Sequence, residues 1–441
     1  MNRAFRAAAR RWRCGHALLS ALAAIFPAAA KADLWSLTSS VQANLETNDN
    51  VNLVPQSPGT VNTLSLSTDL NASRRVENAA TALTMNLASL RQQGPGSGDR
   101  LDGRLGLTQS ITFPRGSLNA AATLAQDFNS DLLTADVTVG RGQRRTASLS
   151  GGGSYALTER LSASAQLSAG RAGYGSEVTR ASDFRTTGAS GSLNYLVSEV
   201  DTLALQAGHS GYHTLTDSNR YRTDSLSVGL SRAWSERTTI SLDLGAYRTE
   251  RSREASRLAC PLPISFCRGG LVPLQVVRER LGSTQTGLDY NASLRTQFDE
   301  TTALALGLGR QKTTLSLSRQ FSERNSASVG YTRQQQVPSG SGDEVRGRSF
   351  TASASFGVAP DSNVSLNYTQ SRSSQLSQGS DSGPQQSSFA ASINKEFTRD
   401  LSLQAGFRRA LAENLGSGTR AHANSVNIAL VVTWARFEAS R

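Results

Sequence analysis

The chain has 441 residues, of which only 38% are hydrophobic, and a formal net charge of +12 carried almost wholly by arginine. A soluble globular protein of this length has longer apolar segments and more Leu, Ile, Val and Phe, so the composition excludes a single water-soluble core. The basic balance does not indicate nucleic acid either, because neither an aromatic-basic stacking pattern nor zinc-ligand spacing accompanies it.

Residues 1–32 predict a cleaved secretory signal. Arg3, Arg6, Arg10, Arg11 and Arg13 make a basic start, His16 to Phe26 is mainly apolar, and Ala30-Lys31-Ala32 has the small-x-small form that is cut before Asp33. The alternative, an uncleaved anchor, fits less well, since nothing basic or apolar continues past Asp33. Cys14 follows Arg-Trp-Arg, which is not the setting of a lipoprotein acylation site. Six of the 46 Lys and Arg lie in this segment with none of the 34 acids, so residues 33–441 carry 40 bases against 34 acids, or +6. No later segment is a transmembrane helix: the longest apolar run is Ile428 to Val432, and about 20 residues are needed.

Beyond the signal, apolar and polar residues alternate along the chain. Leu64, Leu66, Thr68, Leu70; Leu101, Gly103, Leu105, Leu107; Leu118, Ala120, Ala122, Leu124; and Leu161, Ala163, Ala165, Leu167 each recur at every second residue. Farther on come Leu288, Tyr290, Ala292, Leu294; Phe350, Ala352, Ala354, Phe356; and Val426, Ile428, Leu430, Val432, Trp434. This is the period of strands with one apolar and one polar face. The intervening Ser, Thr, Asn, Gln, Arg and Gly are too polar for a sandwich interior and suit a wet lumen.

The connections sort onto two sides. Short turns come after an apolar or aromatic strand end, as at Phe113-Pro-Arg-Gly, Trp234-Ser-Glu-Arg, Phe298-Asp-Glu-Thr, Phe321-Ser-Glu-Arg and Phe397-Thr-Arg-Asp, with another near Glu77. Longer stretches rich in Gly, Ser, Pro and Asn separate them. The expected fold is therefore all-β: a transmembrane antiparallel up-and-down β-barrel of about 20 strands (range about 16–22), with short periplasmic turns and long extracellular loops, in the cell outer membrane. Residues 33–441 form one barrel domain in this reading. Asp127 to Arg144 is expected as one loop, although Leu133, Ala135 and Val137 allow another strand, and a very short outer turn falls near Gly309 to Thr313. Gly151 to Gly153 lies inside a strand, where glycine permits a kink or a close backbone approach.

Cys260 and Cys267 are the only cysteines beyond the signal and pass through an oxidising compartment, so they are disulfide candidates. They sit in the longest predicted loop, about Glu250 to Glu279, with Arg248, Arg251, Arg253, Arg257, Arg268, Arg278 and Arg280 around them. These arginines are candidates to hold an anionic ligand; a solvated extracellular loop is the alternative. His209 and His213 allow a Ser/His/Asp arrangement with Ser210 or Asp217 to be imagined, but the spacing is not that of a nucleophile elbow. No catalytic, metal or cofactor residue is assigned, and no cofactor is expected.

Val41-Gln-Ala-Asn-Leu-Glu-Thr-Asn-Asp-Asn-Val-Asn-Leu-Val-Pro resembles the opening strand and loop of the outer-membrane barrel porins associated with exopolysaccharide and PEP-CTERM (exosortase) systems. The resemblance implies an outer-membrane component that helps polysaccharide or surface protein across or onto the membrane, and it carries over no site residue. The expected activity is a non-enzymatic pore or export conduit, with a general diffusion porin or a plugged structural or adhesive barrel as rivals and a hydrolase as the weakest reading. Expected partners are outer-membrane lipid and lipopolysaccharide, an anionic polysaccharide, and the barrel-assembly machinery during biogenesis.

Overall fold

The computed structural model describes residues 34–95, 98–129, 142–175, 182–215, 219–259, 275–336, 345–375, 385–413 and 420–440. The expected signal peptide, Leu133, Ala135 and Val137 lie outside them. The described residues form β1 (Leu34–Asn48), β2 (Val61–Val76), β3 (Ala79–Gln93), β4 (Arg100–Phe113), β5 (Gly116–Asn129), β6 (Gly142–Ala156) and β7 (Leu161–Tyr174). They continue with β8 (Phe184–Leu196), β9 (Asp201–Thr214), β10 (Arg220–Ser235), β11 (Thr238–Ala259), β12 (Gln275–Gln297), β13 (Thr302–Gly309) and β14 (Lys312–Ser322). The last six are β15 (Asn325–Gln336), β16 (Val345–Ala359), β17 (Ser362–Gln375), β18 (Gln385–Thr398), β19 (Leu401–Glu413) and β20 (Arg420–Ser440).

Each strand pairs antiparallel with its sequence neighbours in one 20-stranded sheet, and β1 also pairs with β20, so the sheet closes on itself. Closure leaves no edge for the backbone to satisfy in lipid, which is why a barrel can cross a membrane where an open sheet cannot. The period-2 pattern then becomes two surfaces. Leu45, Leu64 and Ile428 stand opposite one another on β1, β2 and β20, as do Ala43, Leu66 and Leu430, and all but the alanine are large exposed apolar side chains. The same parity continues around the wall through Leu105 and Leu124 to Leu205, Val228 and Leu244. This is the lipid-facing band of a barrel in the outer membrane.

The opposite parity is hydroxylic. Ser36–Ser73, Ser117–Ser154, Ser164–Ser192, Ser231–Ser241, Ser328–Ser353 and Ser365–Ser392 are cross-strand hydrogen-bonded pairs at 2.7–3.0 Å. They face the lumen and satisfy one another without an apolar core. Packing energy therefore comes from the lipid outside and the ladder within the wall.

The end that carries both chain termini has nine turns of two to four residues. At four of them a β-bulge sets aside one residue, Trp234, Phe321, Val358 or Phe397, between paired neighbours. All four are strongly exposed, Trp234 at 71%, and the three aromatic ones with Phe298 give the aromatic edge expected at the periplasmic interface. A bulge also settles the last strand. Trp434 pairs with Ser39 and Phe437 with Leu37, so two β20 residues oppose one on β1 and the backbone position of Phe437 returns to the apolar parity of Leu37.

At the extracellular end the wall is uneven. β11 and β12 stay paired as far as Ala259 and Gln275, so much of the predicted Glu250 to Glu279 loop is a two-stranded hairpin standing above the rim. Beside it β13 is only eight residues long and turns into β14 through Arg310 and Gln311, the short outer turn read from the sequence.

Candidate functional site: the lumen and its extracellular mouth

Across β7 to β10 four aromatic side chains stand on the polar parity, near the extracellular ends. Tyr174 and Phe184 have ring centroids 6.4 Å apart, Phe184 and Tyr212 stack at 5.2 Å and 28°, and Tyr212 meets Tyr221 edge-on at 6.1 Å. The Arg251 guanidinium lies 5.3 Å from the Tyr221 centroid and carries the lane onto β11. The register explains the continuity: Tyr221 is directly opposite both Tyr212 and Arg251. Offset and edge-on rings at these separations attract one another. A second lumen cluster lies just beyond, where the Arg310 guanidinium sits 3.5 Å from the Tyr247 centroid and 3.6 Å from Asp289 Oδ1. Tyr247 lies over Gly287, where an added Cβ would meet the ring at 2.8 Å, so the glycine is what lets the aromatic lie flat on the wall.

Ten strands further round, the first loop folds over the lumen face. Leu53 is buried with Ala410 and Ala412 of β19 and Ala421 and Ala423 of β20, all of lumen parity. Four alanines in place of larger side chains make the hollow that receives it. Asn50 donates to the backbone oxygens of Val54 and His422 at 2.7 and 2.8 Å. The Asp49 carboxylate accepts from the Asn424 backbone N–H at 2.7 Å and from its side-chain amide at 2.8 Å. The Asn-Asp-Asn-Val-Asn-Leu segment is thus a latch across the β1–β20 seam, anchored on the inner wall. Burial raises the Asp49 pKa, and the Asn424 hydrogen bonds together with His422 outweigh it, so the group lies below the ordinary carboxylate value.

The sequence-selected arginines divide. Arg248 faces outward and pairs with Glu250 at 2.7 Å, whereas Arg251 faces the lumen. Arg253, Arg257, Arg278 and Arg280 occupy hairpin positions opposite Leu281, Val277, Ser256 and Glu254. Cys260, Cys267 and Arg268 lie outside the described residues. His209 Nδ1 is 2.6 Å from Asp224 Oδ1, but both are on the outward parity while Ser210 is on the lumen parity, so strand geometry separates serine from histidine. Asp217 is outside the described residues; His422 contributes its backbone oxygen to the latch.

Sequence reasoning missed the aromatic lane. Its signal was present: Tyr212 alternates with Ser210 and Thr214, and Tyr221 with Thr223 and Ser225, so each ring breaks a polar face rather than extending an apolar one.

No protein-family model matches the chain, and no curated protein matches it. Among solved structures it is similar to the FrpB iron transporter from Neisseria meningitidis: the F5-1 variant apoprotein at TM-score 0.52 and 8% identity, the F3-3 variant at 0.51 and 10%. Both comparisons cover 90% of this chain and 81% of the other. OccAB3 of Acinetobacter baumannii is matched over 91% of this chain and 99% of its own, at TM-score 0.40 and 10% identity. At these identities the shared feature is the large β-barrel itself.

Proposed function

We propose that the protein is a non-enzymatic outer-membrane pore or export conduit for a polysaccharide, working within an exopolysaccharide or surface-protein system. The observation that carries the reading is the lane of four rings on an otherwise hydroxylic lumen wall. A pyranose ring has apolar faces that stack on aromatic rings and an edge of hydroxyls that exchange hydrogen bonds with Ser, Thr, Asn and Gln. A lane crossing adjacent strands, about 4.8 Å apart, sets a band of ring faces and edges around one side of the mouth, and weak binding to several of them lets a chain pass rather than lodge. Arg251 at the end of the lane adds affinity for an acidic sugar. The latched first loop narrows the mouth from the other wall. The resemblance of that loop to the exopolysaccharide-associated barrels supports the same cargo.

The test is single-channel current through the purified barrel in a planar bilayer, with neutral and acidic oligosaccharides added to the extracellular side. Concentration-dependent interruptions are expected, shortened at least tenfold by combining Phe184→Ala with Tyr212→Ala. Leu53→Ala, which loosens the loop, is expected to raise the open current. Interruptions that the double substitution leaves unchanged would remove the lane from the mechanism, and permanent silence of both forms would favour the plugged structural or adhesive barrel.

A further inference from the structure

The lipid-facing surface carries a hollow that the pore reading does not use. A cavity of about 1000 Å³ opens between β3 and β8 toward the extracellular end. Its apolar lining is Met85, Leu87, Leu105 and Leu124, all on the outward parity. The wall is recessed here because Gly103, Ala147 and Gly173 occupy outward positions that neighbouring strands fill with larger side chains.

Arginines stand over this hollow. Arg145 and Arg171 line it, on adjacent strands, and Arg185 is directly opposite Arg171 on the next. All three lie within four residues of the extracellular ends of β6, β7 and β8, on the outward face, and are exposed. Like charges directly opposite on one sheet face are destabilising, so this arrangement calls for an anion. Among the described residues no carboxylate forms an ion pair with any of them; Arg145 Nε donates to Gln126 Oε1 at 3.0 Å. The one acid lining the hollow, Asp183, has its carboxylate engaged by the Tyr174 backbone N–H at 2.9 Å.

We infer that this surface is a binding site for a phosphorylated, multiply acylated glycolipid of the outer leaflet, of the lipid A class. The acyl chains fill the hollow and the phosphates sit among Arg145, Arg171 and Arg185. Guanidinium forks hold phosphate oxygens in pairs, and the height of the three arginines is that of the headgroups. The occupant is a lipid because acyl-lined and charged parts meet on a face that only the bilayer touches. It is lipid A rather than a one-phosphate glycerolipid because three guanidiniums on three successive strands exceed what one phosphate requires.

The test compares binding of purified lipid A, its dephosphorylated form and phosphatidylglycerol to the detergent-solubilised barrel by native mass spectrometry, with folding checked by heat-modifiable electrophoresis. Lipid A is expected to be retained, the other two at least tenfold less. The charge variant Arg145→Gln, Arg171→Gln, Arg185→Gln is expected to lose the preference for phosphate. Ala147→Phe, which fills the hollow without altering charge, is expected to weaken lipid A while leaving the phosphate preference. Equal retention of phosphatidylglycerol, unchanged affinity in both variants, or a dimer that Ala147→Phe abolishes and that excludes lipid would each overturn the assignment; the last would make the hollow an interface between copies.

Discussion

Asp49 shows how a single side chain can fasten the seam of a barrel that strand pairing closes. Its carboxylate bridges the loop after β1 to Asn424 on β20, where the sheet's first and last strands meet. Asp49→Asn keeps the shape but sets an amide against the Asn424 amide, and is expected to destabilise the folded barrel by about 1 kcal/mol, the usual scale of one such hydrogen bond. The pH dependence has a definite sign. The folded-state pKa lies below the unfolded value, so the contribution is fully present above the ordinary carboxylate range and is lost as pH falls through the depressed value. Heat-modifiable electrophoresis should separate the two proteins at pH 7 and bring their transitions together once the medium is acidified well below the ordinary carboxylate range. An equal separation at both would mean that the carboxylate charge is not involved. The sequence motif was legible as a strand and loop, but its role was not, because the partner Asn424 is 375 residues away and alternation carries no information about which strand closes on which.

Strand parity made most elements legible, and glycine shows where it stopped. Gly151, Gly152 and Gly153 lie in an unbroken stretch of β6, so the close backbone approach is realised and the kink is not. A Cβ on Gly151 would meet only the Asn119 oxygen at an ordinary 3.6 Å, whereas on Gly153 it would fall 2.9 Å from the Ser117 oxygen and 2.5 Å from Leu118 Cδ2. Gly151→Ala is therefore expected to be neutral and Gly153→Ala to cost about 1–3 kcal/mol through overpacking, as judged by denaturant unfolding of the folded barrel. Indistinguishable variants would refute this reading of the triplet. At the β11–β12 hairpin, composition suggested a loop because arginine, serine, proline and glycine recur in it, yet pairing with β10 and between the two strands extends it well above the short β13. Cys260 and Cys267 fall in the connection at its tip and are expected to be disulfide-linked. Maleimide labelling of the unfolded protein should then modify neither cysteine before reduction and both after it, and labelling before reduction would refute the pair.

For the whole molecule, the distribution of arginine between the two surfaces decides what the channel conducts. A net charge of +6 beyond the signal, if it lined the lumen as free arginine, would favour anions. Several lumen-facing arginines instead stand beside carboxylates: Arg144 with Asp127 at 2.9 Å, Arg100 with Asp102 at 3.4 Å and Arg310 with Asp289 at 3.6 Å. Arg145, Arg171 and Arg185, which have no carboxylate partner among the described residues, point toward lipid, outside the conduction path. Alternation alone could not show this, because arginine interrupts both faces and only the register tells which neighbour balances it. Where arginine is balanced in this way the wall does not strongly repel either ion, since adjacent opposite charges cancel within about one Debye length, roughly 10 Å at 0.1 M salt. In a potassium chloride gradient the reconstituted barrel is therefore expected to show a reversal potential close to zero. Asp127→Asn and Asp289→Asn together, which release Arg144 and Arg310, should shift that potential toward the chloride equilibrium value. A strongly anion-selective parent channel, or no shift in the double variant, would mean that the ions take a path these residues do not line.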